Sequence, residues 1–241
     1  MRQASTPATY ADFMRRRFPT LWRSLRKLKY PLQALGKVEA VFTNIYDRNF
    51  WEAAESRSGP GSTLSETATL RAELPGLLRD LNVRALVDAP CGDFNWMSQM
   101  NPDLDSYVGA DIVQKIIDEN NEKHASPKRQ FVHLDLLRDA LPKGDAILCR
   151  DCLVHFGDAE VRKALSNFKR SGSTYLITTT YPDRGPSQNI ILGEWQPLNL
   201  QAAPFNLPAP LRLLDEKRLE KDGSNTGKCL GVWRLSDVVI S

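Results

Sequence analysis

The sequence lacks the features that define several large classes of proteins. It holds only four cysteines in 241 residues, at positions 91, 149, 152 and 229, which is too few for a disulfide-stapled scaffold. It has no apolar run of about 18 residues that could span a membrane, no secretory leader pattern, no internal repeat and no low-complexity segment. We therefore expect a cytoplasmic globular protein with reduced thiols and a chain long enough to bury a sizeable core.

The Gly-x-Gly-x-x-Gly fingerprint of dinucleotide-binding folds is also absent. In its place, Val87-Asp-Ala-Pro-Cys-Gly-Asp93 is the end of an apolar run followed by a tight turn with one glycine and two carboxylates, Asp88 and Asp93. A phosphate cradle needs several glycines and a positive helix end, whereas carboxylates accept hydrogen bonds from ammonium and hydroxyl groups. The turn favours a ligand with positive charge and hydroxyls, such as S-adenosyl-L-methionine. The alternative is an ordinary strand and turn.

The positive charge of the chain is concentrated in its first 40 residues, whose formal charge of +7 contrasts with −4 over residues 41–241. Apolar positions from Phe18 to Leu32 recur at helical spacing between Arg and Lys residues, which predicts a basic amphipathic helix within residues 13–32. Such a helix can make peripheral contact with an anionic membrane, meet an acidic partner, or pack on the domain, and we favour packing. The mildly acidic body argues against nucleic acid as the substrate.

From residue 84 onward, short apolar runs alternate with amphipathic segments. This alternation predicts an α/β fold with a doubly wound, mostly parallel sheet and a ligand at the carboxyl ends of the strands. Leu211–Leu214 and Cys229–Leu235, around a turn at Asp222-Gly223, predict a hairpin that brings the sheet to seven strands. The preceding predicted strands cover residues 85–88, 106–111, 130–135, 145–150 and 174–180. Two helices are predicted over residues 70–81, with Pro75 as a kink or break, and over residues 112–123. A third predicted helix contains Val161, Leu165 and Phe168 and ends near Gly172.

Two segments outside this alternation are expected to lie on the substrate side. Residues 51–62 end in a Ser/Gly/Pro-rich stretch that we interpret as a lid loop. Residues 182–210 hold six prolines and form a long irregular connection. Loops of more than about 12–15 structureless residues are uncommon unless they are functional. We therefore predict a substrate-side insertion here, with Trp195 and Asn199 as substrate contacts.

Three predicted strands end in an acid: Asp88, Asp111 and Asp135. Asp111 lies 23 residues after Asp88, near the interval of about 20 at which an acid binds a ribose diol in dinucleotide folds. Asp135, one strand further out, is placed to accept a hydrogen bond from an adenine amine. A lone Asp at such a position is more often a helix N-cap, but three in register favour an adenosine ligand.

With these motifs the chain resembles the class I S-adenosylmethionine-dependent methyltransferases over residues 65–241, which leaves residues 1–64 as an N-terminal helical extension or lid. The resemblance implies that the first loop surrounds the methionine part of the cofactor, although Pro90 and Phe94 stand where glycines are usual. It aligns Arg150–Phe156 with the fourth-motif region, whose strand end faces the methyl group, and the final hairpin with the antiparallel seventh strand. The cofactor-binding residues that we predict are Asp88, Ala89, Pro90, Gly92, Asp93, Asp111, Ile112, Asp135, Leu136 and Arg150.

Methyl transfer from an activated sulfonium needs an aligned acceptor and, for an oxygen acceptor, a general base. Asp151 and His155 are the candidate catalytic residues. Each has a structural alternative, because Asp151 can cap a helix and His155 can be a packed histidine. Arg150 is expected to orient an acidic substrate or to pair with Asp151 or Asp93.

The spacing Cys149-x-x-Cys152-x-x-His155, with Cys91 on the neighbouring strand end, is compatible with zinc or with a redox pair. Buried structural thiols are the commoner outcome, because free cysteine is among the most buried residue types. We predict no metal.

The favoured function is methylation of an oxygen or nitrogen atom on a small molecule or sugar-like metabolite. One alternative is a catalytically silent cofactor-binding module that docks through its basic N-terminus; another is a methyltransferase acting on nucleic acid or protein. No Asp/Asn-Pro-Pro-aromatic motif follows the fourth predicted strand, which argues against DNA amino groups. The missing glycines and the final hairpin argue against a nicotinamide-dependent oxidoreductase.

Overall fold

The computed structural model describes residue 17, residues 38–219 and residues 223–240. The predicted basic helix within residues 13–32, apart from Arg17, and Asp222 of the predicted hairpin turn lie outside the described residues. The described residues from 38 to 240 form one compact unit, and the division of the chain at residues 64 and 65 stays a prediction. None of the helices in the described part of the chain combines the length and the apolar character needed to cross a membrane.

Strands and helices alternate in the predicted order. Two helices precede the sheet, and two more connect its parallel strands. The elements are α1 (Val38–Asp47), α2 (Ala68–Asp80), β1 (Ala85–Asp88), β2 (Ser106–Asp111), α3 (Gln114–His124), β3 (Arg129–His133), β4 (Ala146–Cys149), α4 (Asp158–Arg170), β5 (Tyr175–Thr180), β6 (Arg212–Asp215) and β7 (Cys229–Arg234). Helix α2 continues through Pro75 without the break that the sequence allowed.

The seven strands form one sheet in the order β3-β2-β1-β4-β5-β7-β6. Strands β1 to β5 are parallel, whereas β7 runs antiparallel to β5 and β6. The strand order reverses between β1 and β4: β2 and β3 are added on one side of β1, and β4 and β5 on the other. Ligands of open α/β sheets bind at such a switch point. The predicted fold class is therefore confirmed, including the antiparallel C-terminal hairpin.

Successive residues of the central strands enter two hydrophobic cores, one on each face of the sheet. Val87 of β1 and Ile147 of β4 belong to the core that packs against α4. Their neighbours Leu86 and Leu148 belong to the core that packs against α2. Burial on both faces explains why these strands read as continuous apolar runs in the sequence.

The predicted end of the third strand is wrong by two residues, whereas the other strand boundaries differ from the prediction by at most one residue. Strand β3 ends at His133, so Asp135 lies two residues beyond it. The Leu134 amide still donates to the Asp111 carbonyl oxygen at 2.9 Å, but the Asp135 carboxylate then accepts from the Leu137 amide at 2.9 Å. This local hydrogen bond turns the chain out of the sheet immediately after the strand.

Residues 182–210 contain no helix or strand, as predicted, yet they are well packed. Their apolar side chains, including Leu198 and Phe205, join the core beside α4. The amides of Gly193 and Gln196 donate to the carbonyl oxygens of His155 (2.9 Å) and Val154 (3.0 Å). The insertion thus holds the turn that follows β4.

Candidate functional site

A cleft lies at the carboxyl edge of the sheet, and we call it the carboxyl-edge cleft. All ten residues predicted to contact the cofactor line it, together with both candidate catalytic residues, Asp151 and His155. Helix α1 and Trp51 supply the facing wall, with Val38, Phe42 and Tyr46 from the helix. At the sequence level α1 fell within the predicted N-terminal extension or lid, and none of its residues was assigned to the site.

Asp88 and Asp111 are buried carboxylates at the ends of β1 and β2. Tyr107 Oη donates to Asp88 at 2.7 Å, and the amides of Gly92 and Val113 donate to Asp111 at 3.1 and 3.0 Å. Burial raises the pKa of Asp88 to about 7 and that of Asp111 to about 6. Among the described residues, neither carboxylate forms a salt bridge. Two such groups are suited to a ligand that carries positive charge.

The turn after β1 approaches the lid loop closely at Gly92. Its φ of +54° lies in the left-handed region, and a Cβ there would collide with Ser58. The tight approach lets the Gly92 amide reach Asp111 while the next residue contacts the lid loop. Glycine is therefore required at this position for both conformation and space.

Asp93 fastens the lid loop to this turn. Its carboxylate accepts from Ser56 Oγ (2.8 Å), Ser58 Oγ (3.0 Å) and the Arg57 amide (2.8 Å), and its own amide donates to Ser58 Oγ at 2.9 Å. The predicted cofactor contact of Asp93 stays a prediction, since the side chain lines the cleft while its carboxylate is engaged by the loop.

The outer part of the cleft is mainly apolar. Ile112, Leu134 and Leu136 line it beside Asp135, whose side chain remains partly exposed and lies 3.7 Å from Arg138 Nε. Apolar walls with one carboxylate at the edge suit a flat heterocycle that carries an amino group. The assignment of this part of the cleft to an adenine stays a prediction.

A buried ion network lies beside the cleft, formed by Arg150, Asp151, Glu216 and Lys228. Arg150 contacts Glu216 at 2.6 Å and Asp151 at 3.3 Å, while Lys228 Nζ contacts Asp151 at 2.5 Å and Glu216 at 3.2 Å. These cations hold the pKa of Asp151 well below its ordinary value despite burial, which by itself would raise it. The predicted Arg150–Asp151 pair is confirmed, but no pair with Asp93 forms among the described residues.

Glu216 and Lys228 were missed at the sequence level. They directly follow β6 and precede β7, where charged residues are usually solvated, and nothing in their spacing indicates that they meet. Both side chains are fully buried.

His155 lies in the short turn Leu153–His155 after β4, with its ring tilted against that of Trp51 at a centroid distance of 5.4 Å. Its Nδ1 is 3.0 Å from the Glu194 carbonyl oxygen. Because a carbonyl can only accept, Nδ1 carries the proton and Nε2 keeps its lone pair. Burial lowers the pKa of His155, so the ring is neutral near pH 7. These are the properties of an imidazole that can accept a proton.

A second cavity of about 440 Å³ adjoins the cleft. Trp51, Ser58, Asp151 and His155 line both spaces and form their common wall. A group in the cleft and a molecule in the second cavity would therefore meet beside His155.

The structure separates the two predicted substrate contacts. Trp195 lines the second cavity, with its ring 6.0 Å from that of Tyr181. Asn199 lines neither cavity. It is buried, and its Nδ2 donates to the carbonyl oxygens of Pro182 (2.9 Å) and Arg184 (2.7 Å). We therefore do not carry Asn199 forward as a substrate contact.

The cysteines do not assemble into a metal site in the described part of the chain, where no group of three or more His, Cys, Asp or Glu residues could hold a metal ion. Cys149 and Cys152 pack in the core beside α4, whereas Cys91 packs in the core beside α2. All four cysteines are free thiols.

Comparison with known proteins shows a likeness in fold. No family profile and no curated protein matches the chain. Human N-acetylserotonin methyltransferase, solved in complex with S-adenosylmethionine, is 16% identical and matches over 92% of this chain and 68% of its own, with a TM-score of 0.53. The methyltransferase domain of bacterial CtHen1-CN is 12% identical over 70% of this chain and 98% of its own, with a TM-score of 0.50.

A third match is magnesium protoporphyrin IX methyltransferase from Synechocystis PCC 6803, at 20% identity and a TM-score of 0.43. The match covers 51% of this chain and 59% of that protein, which is less than two thirds of its length. Together with the strand order, the match to the human enzyme, with its TM-score of 0.53, shows that the chain has the Rossmann-like fold of class I methyltransferases.

Proposed function

We propose that the protein transfers a methyl group from S-adenosyl-L-methionine to an oxygen or nitrogen atom of a small molecule. The observation that carries the proposal is the pair of buried carboxylates, Asp88 and Asp111, which lack a salt bridge among the described residues and line the same cleft. Such groups favour a cationic, hydroxyl-bearing ligand over a phosphorylated one. When bound, this cofactor supplies an activated methyl group.

Each part of the cleft has a role in this proposal. Asp111 accepts from the ribose hydroxyls, and Asp88 faces the positively charged methionine part. Ile112 and Leu136 flank the adenine, with Asp135 at its amino group. Gly92 lets the turn after β1 come close to Ser58 of the lid loop, because a Cβ at this position would collide with that side chain.

The geometry supports His155 over Asp151 as the general base. Asp151 has a lowered pKa and two cationic partners, so it is a weak proton acceptor near pH 7. His155 is neutral, has an available Nε2 and lies in the wall between the two cavities. The charge of Asp151 favours the imidazolium that forms when His155 takes a proton. Asp151 is thus proposed as an electrostatic partner.

Calorimetric titration with S-adenosylhomocysteine tests the cofactor assignment. We expect binding that weakens by about 10- to 100-fold in Asp88→Asn and Asp111→Asn, because each loses charge-assisted hydrogen bonds. Asp118→Asn changes an exposed acid on α3 and should bind like the unmodified protein. Absence of binding, or unchanged affinity in both cleft variants, would refute the assignment. Titration with NAD under the same conditions tests the oxidoreductase alternative.

Incubation with S-adenosylmethionine and a panel of small acceptors, followed by a mass scan for an added methyl group, tests turnover. His155→Gln should lower kcat by about 100-fold or more for an acceptor that must lose a proton. Its affinity for S-adenosylhomocysteine should stay unchanged. Cofactor binding without turnover on small molecules, peptides or nucleic acids would favour the silent cofactor-binding module.

A further inference from the structure

We infer that the second cavity binds an acceptor that carries an anionic group at one end and presents a flat ring face. This inference rests on the proposed methyl transfer, because it names the class of molecule that would meet the methyl group. It adds a set of residues, Arg184, Arg218 and Tyr181, to the site.

The cavity is lined by two arginines. Arg184 is exposed, and its guanidinium donates to the Thr226 carbonyl oxygen at 3.4 Å; it has no salt bridge with any carboxylate in the described ranges. Arg218 Nε pairs with Glu66 at 2.7 Å, and among the described residues its two terminal nitrogens have no carboxylate partner. Guanidinium groups bind carboxylate and phosphate oxygens in a planar, bidentate manner.

Among the described residues that line the cavity, Asp151 is the single acid. Lys228 and Arg150 compensate its charge. Because Arg184 adds a positive charge that has no carboxylate partner among the described residues, the cavity favours an anion.

The turn that carries Arg184 is built by buried contacts. Asn199, which is 7% exposed, donates to the carbonyl oxygens of Pro182 and Arg184, and the Arg184 amide donates to the Tyr181 carbonyl oxygen at 3.0 Å. Asn199 therefore acts as a positioning residue for Arg184, which explains its burial away from both cavities.

Aromatic rings supply the flat surfaces. Tyr181, Trp195 and Trp51 all line the cavity. The Trp195 side chain is 55% exposed, unusual for so large an apolar ring, and its edge-to-face contact with Tyr181 keeps it at the cavity. Stacking on a planar ligand would cover it.

The lining also defines the orientation of the acceptor. Asp151 and His155 belong to the wall shared with the carboxyl-edge cleft, whereas Arg184, Arg218 and Trp195 line the second cavity alone. The two arginines attract an anionic group to their own side of the cavity, away from the shared wall. The anion thus lies at the arginines, and the nucleophile lies at His155.

The test compares two rings that differ in charge. Binding of 4-hydroxybenzoate and of its neutral methyl ester is measured calorimetrically, with and without saturating S-adenosylhomocysteine. The acid should bind at least about tenfold more tightly than the ester, because charge-assisted pairs strengthen its binding. Arg184→Gln and Arg218→Gln should weaken acid binding and leave ester binding within about twofold. Arg79→Gln, an exposed arginine on α2 outside both cavities, should preserve the preference.

Three results would overturn the anion site: the acid and the ester bind equally well, the preference for the acid survives in both cavity variants, or neither ring binds. Phenyl phosphate and benzoate, run in parallel, assign the anion as phosphate or carboxylate, and tighter binding of either than of the ester supports the site. If the protein binds 4-hydroxybenzoate but does not bind S-adenosylhomocysteine, the proposed methyl transfer is refuted and the anion site stands. If it binds S-adenosylhomocysteine but does not bind 4-hydroxybenzoate, the anion site is refuted and the proposed methyl transfer stands.

Discussion

The two buried carboxylates of the cleft should make cofactor affinity depend on pH. Burial raises the pKa of Asp88 to about 7 and that of Asp111 to about 6. The proposed ligand needs both groups ionised, because a carboxylate accepts from an ammonium or hydroxyl group where a carboxylic acid competes as a donor. Protons and ligand therefore compete. We predict that the affinity for S-adenosylhomocysteine rises from about pH 5.5 to about pH 8 and then levels off.

The size of the effect follows from the ionised fractions. A group with a pKa of about 7, like Asp88, is ionised in about 3% of molecules at about pH 5.5 and in about 90% at about pH 8. Because the apparent dissociation constant varies inversely with the competent fraction, Asp88 alone accounts for about a 30-fold change. Asp111, at about 6, adds a factor of about four in the same direction. The combined change is roughly 100-fold.

Calorimetry across this pH range, at constant ionic strength and in buffers of different ionisation enthalpy, measures both the affinity and the protons released on binding. Asp88→Asn should weaken binding and flatten the pH profile. Tyr107→Phe removes a hydrogen bond that lowers the pKa of Asp88, so the midpoint of the profile should move to higher pH. Affinity that is independent of pH in the unmodified protein, with no proton release, would refute the argument.

Three further predictions concern stability and the lid. The pKa of Asp88 in the folded state lies above its ordinary value of 3.8, so its ionisation costs stability as pH rises from about 4 to about 7. Asp88→Asn should therefore raise the melting temperature of the ligand-free protein at about pH 8. The same substitution should have little effect on the melting temperature near pH 4. Lys228→Met leaves buried carboxylates with one cation fewer and should lower the free energy of unfolding by about 3–5 kcal/mol in urea titrations, whereas Lys217→Met, at an exposed lysine, should change little. Asp93→Ala releases the hydrogen bonds that hold the lid loop, so trypsin should cleave after the exposed Arg57 faster than in the unmodified protein; an unchanged cleavage rate would mean that Asp93 does not restrain the loop.

The fold was predictable because its signals are local. Each buried parallel strand appears as a short apolar run, and β1 and β2 end at Asp88 and Asp111 as predicted. The boundary of β3 was wrong because the hydrogen bond from the Leu137 amide to Asp135 competes with the strand ladder, and propensity does not contain this contact. Propensity also could not show that α2 continues through Pro75, where the sequence allowed a kink or a break.

The candidate site was predictable where neighbouring strands bring their ends together. Parallel strands meet at one edge, so acids that follow consecutive strands lie close to each other whatever the loops do. Residues that reach the site from distant parts of the chain carry no such signal. Lys228 and Glu216 approach Arg150 and Asp151 only through the order of the last three strands, β5-β7-β6. In the insertion, nothing in the sequence distinguishes Trp195, which lines the cavity, from Asn199, which supports the loop.

The contrast between two sets of buried acids is the physical argument for a ligand. The chain compensates Asp151 and Glu216 with its own cations, Arg150 and Lys228, and the pKa of Asp151 falls. It leaves Asp88 and Asp111 without a salt bridge in the described part of the chain, and their pKa values rise. Burying a carboxylate without a cation costs stability, so a fold that already places two cations nearby could have compensated these groups as well. A cationic ligand in the cleft would pair with these carboxylates and offset the cost of burying them. Because the ligand needs both groups ionised, its binding should release protons.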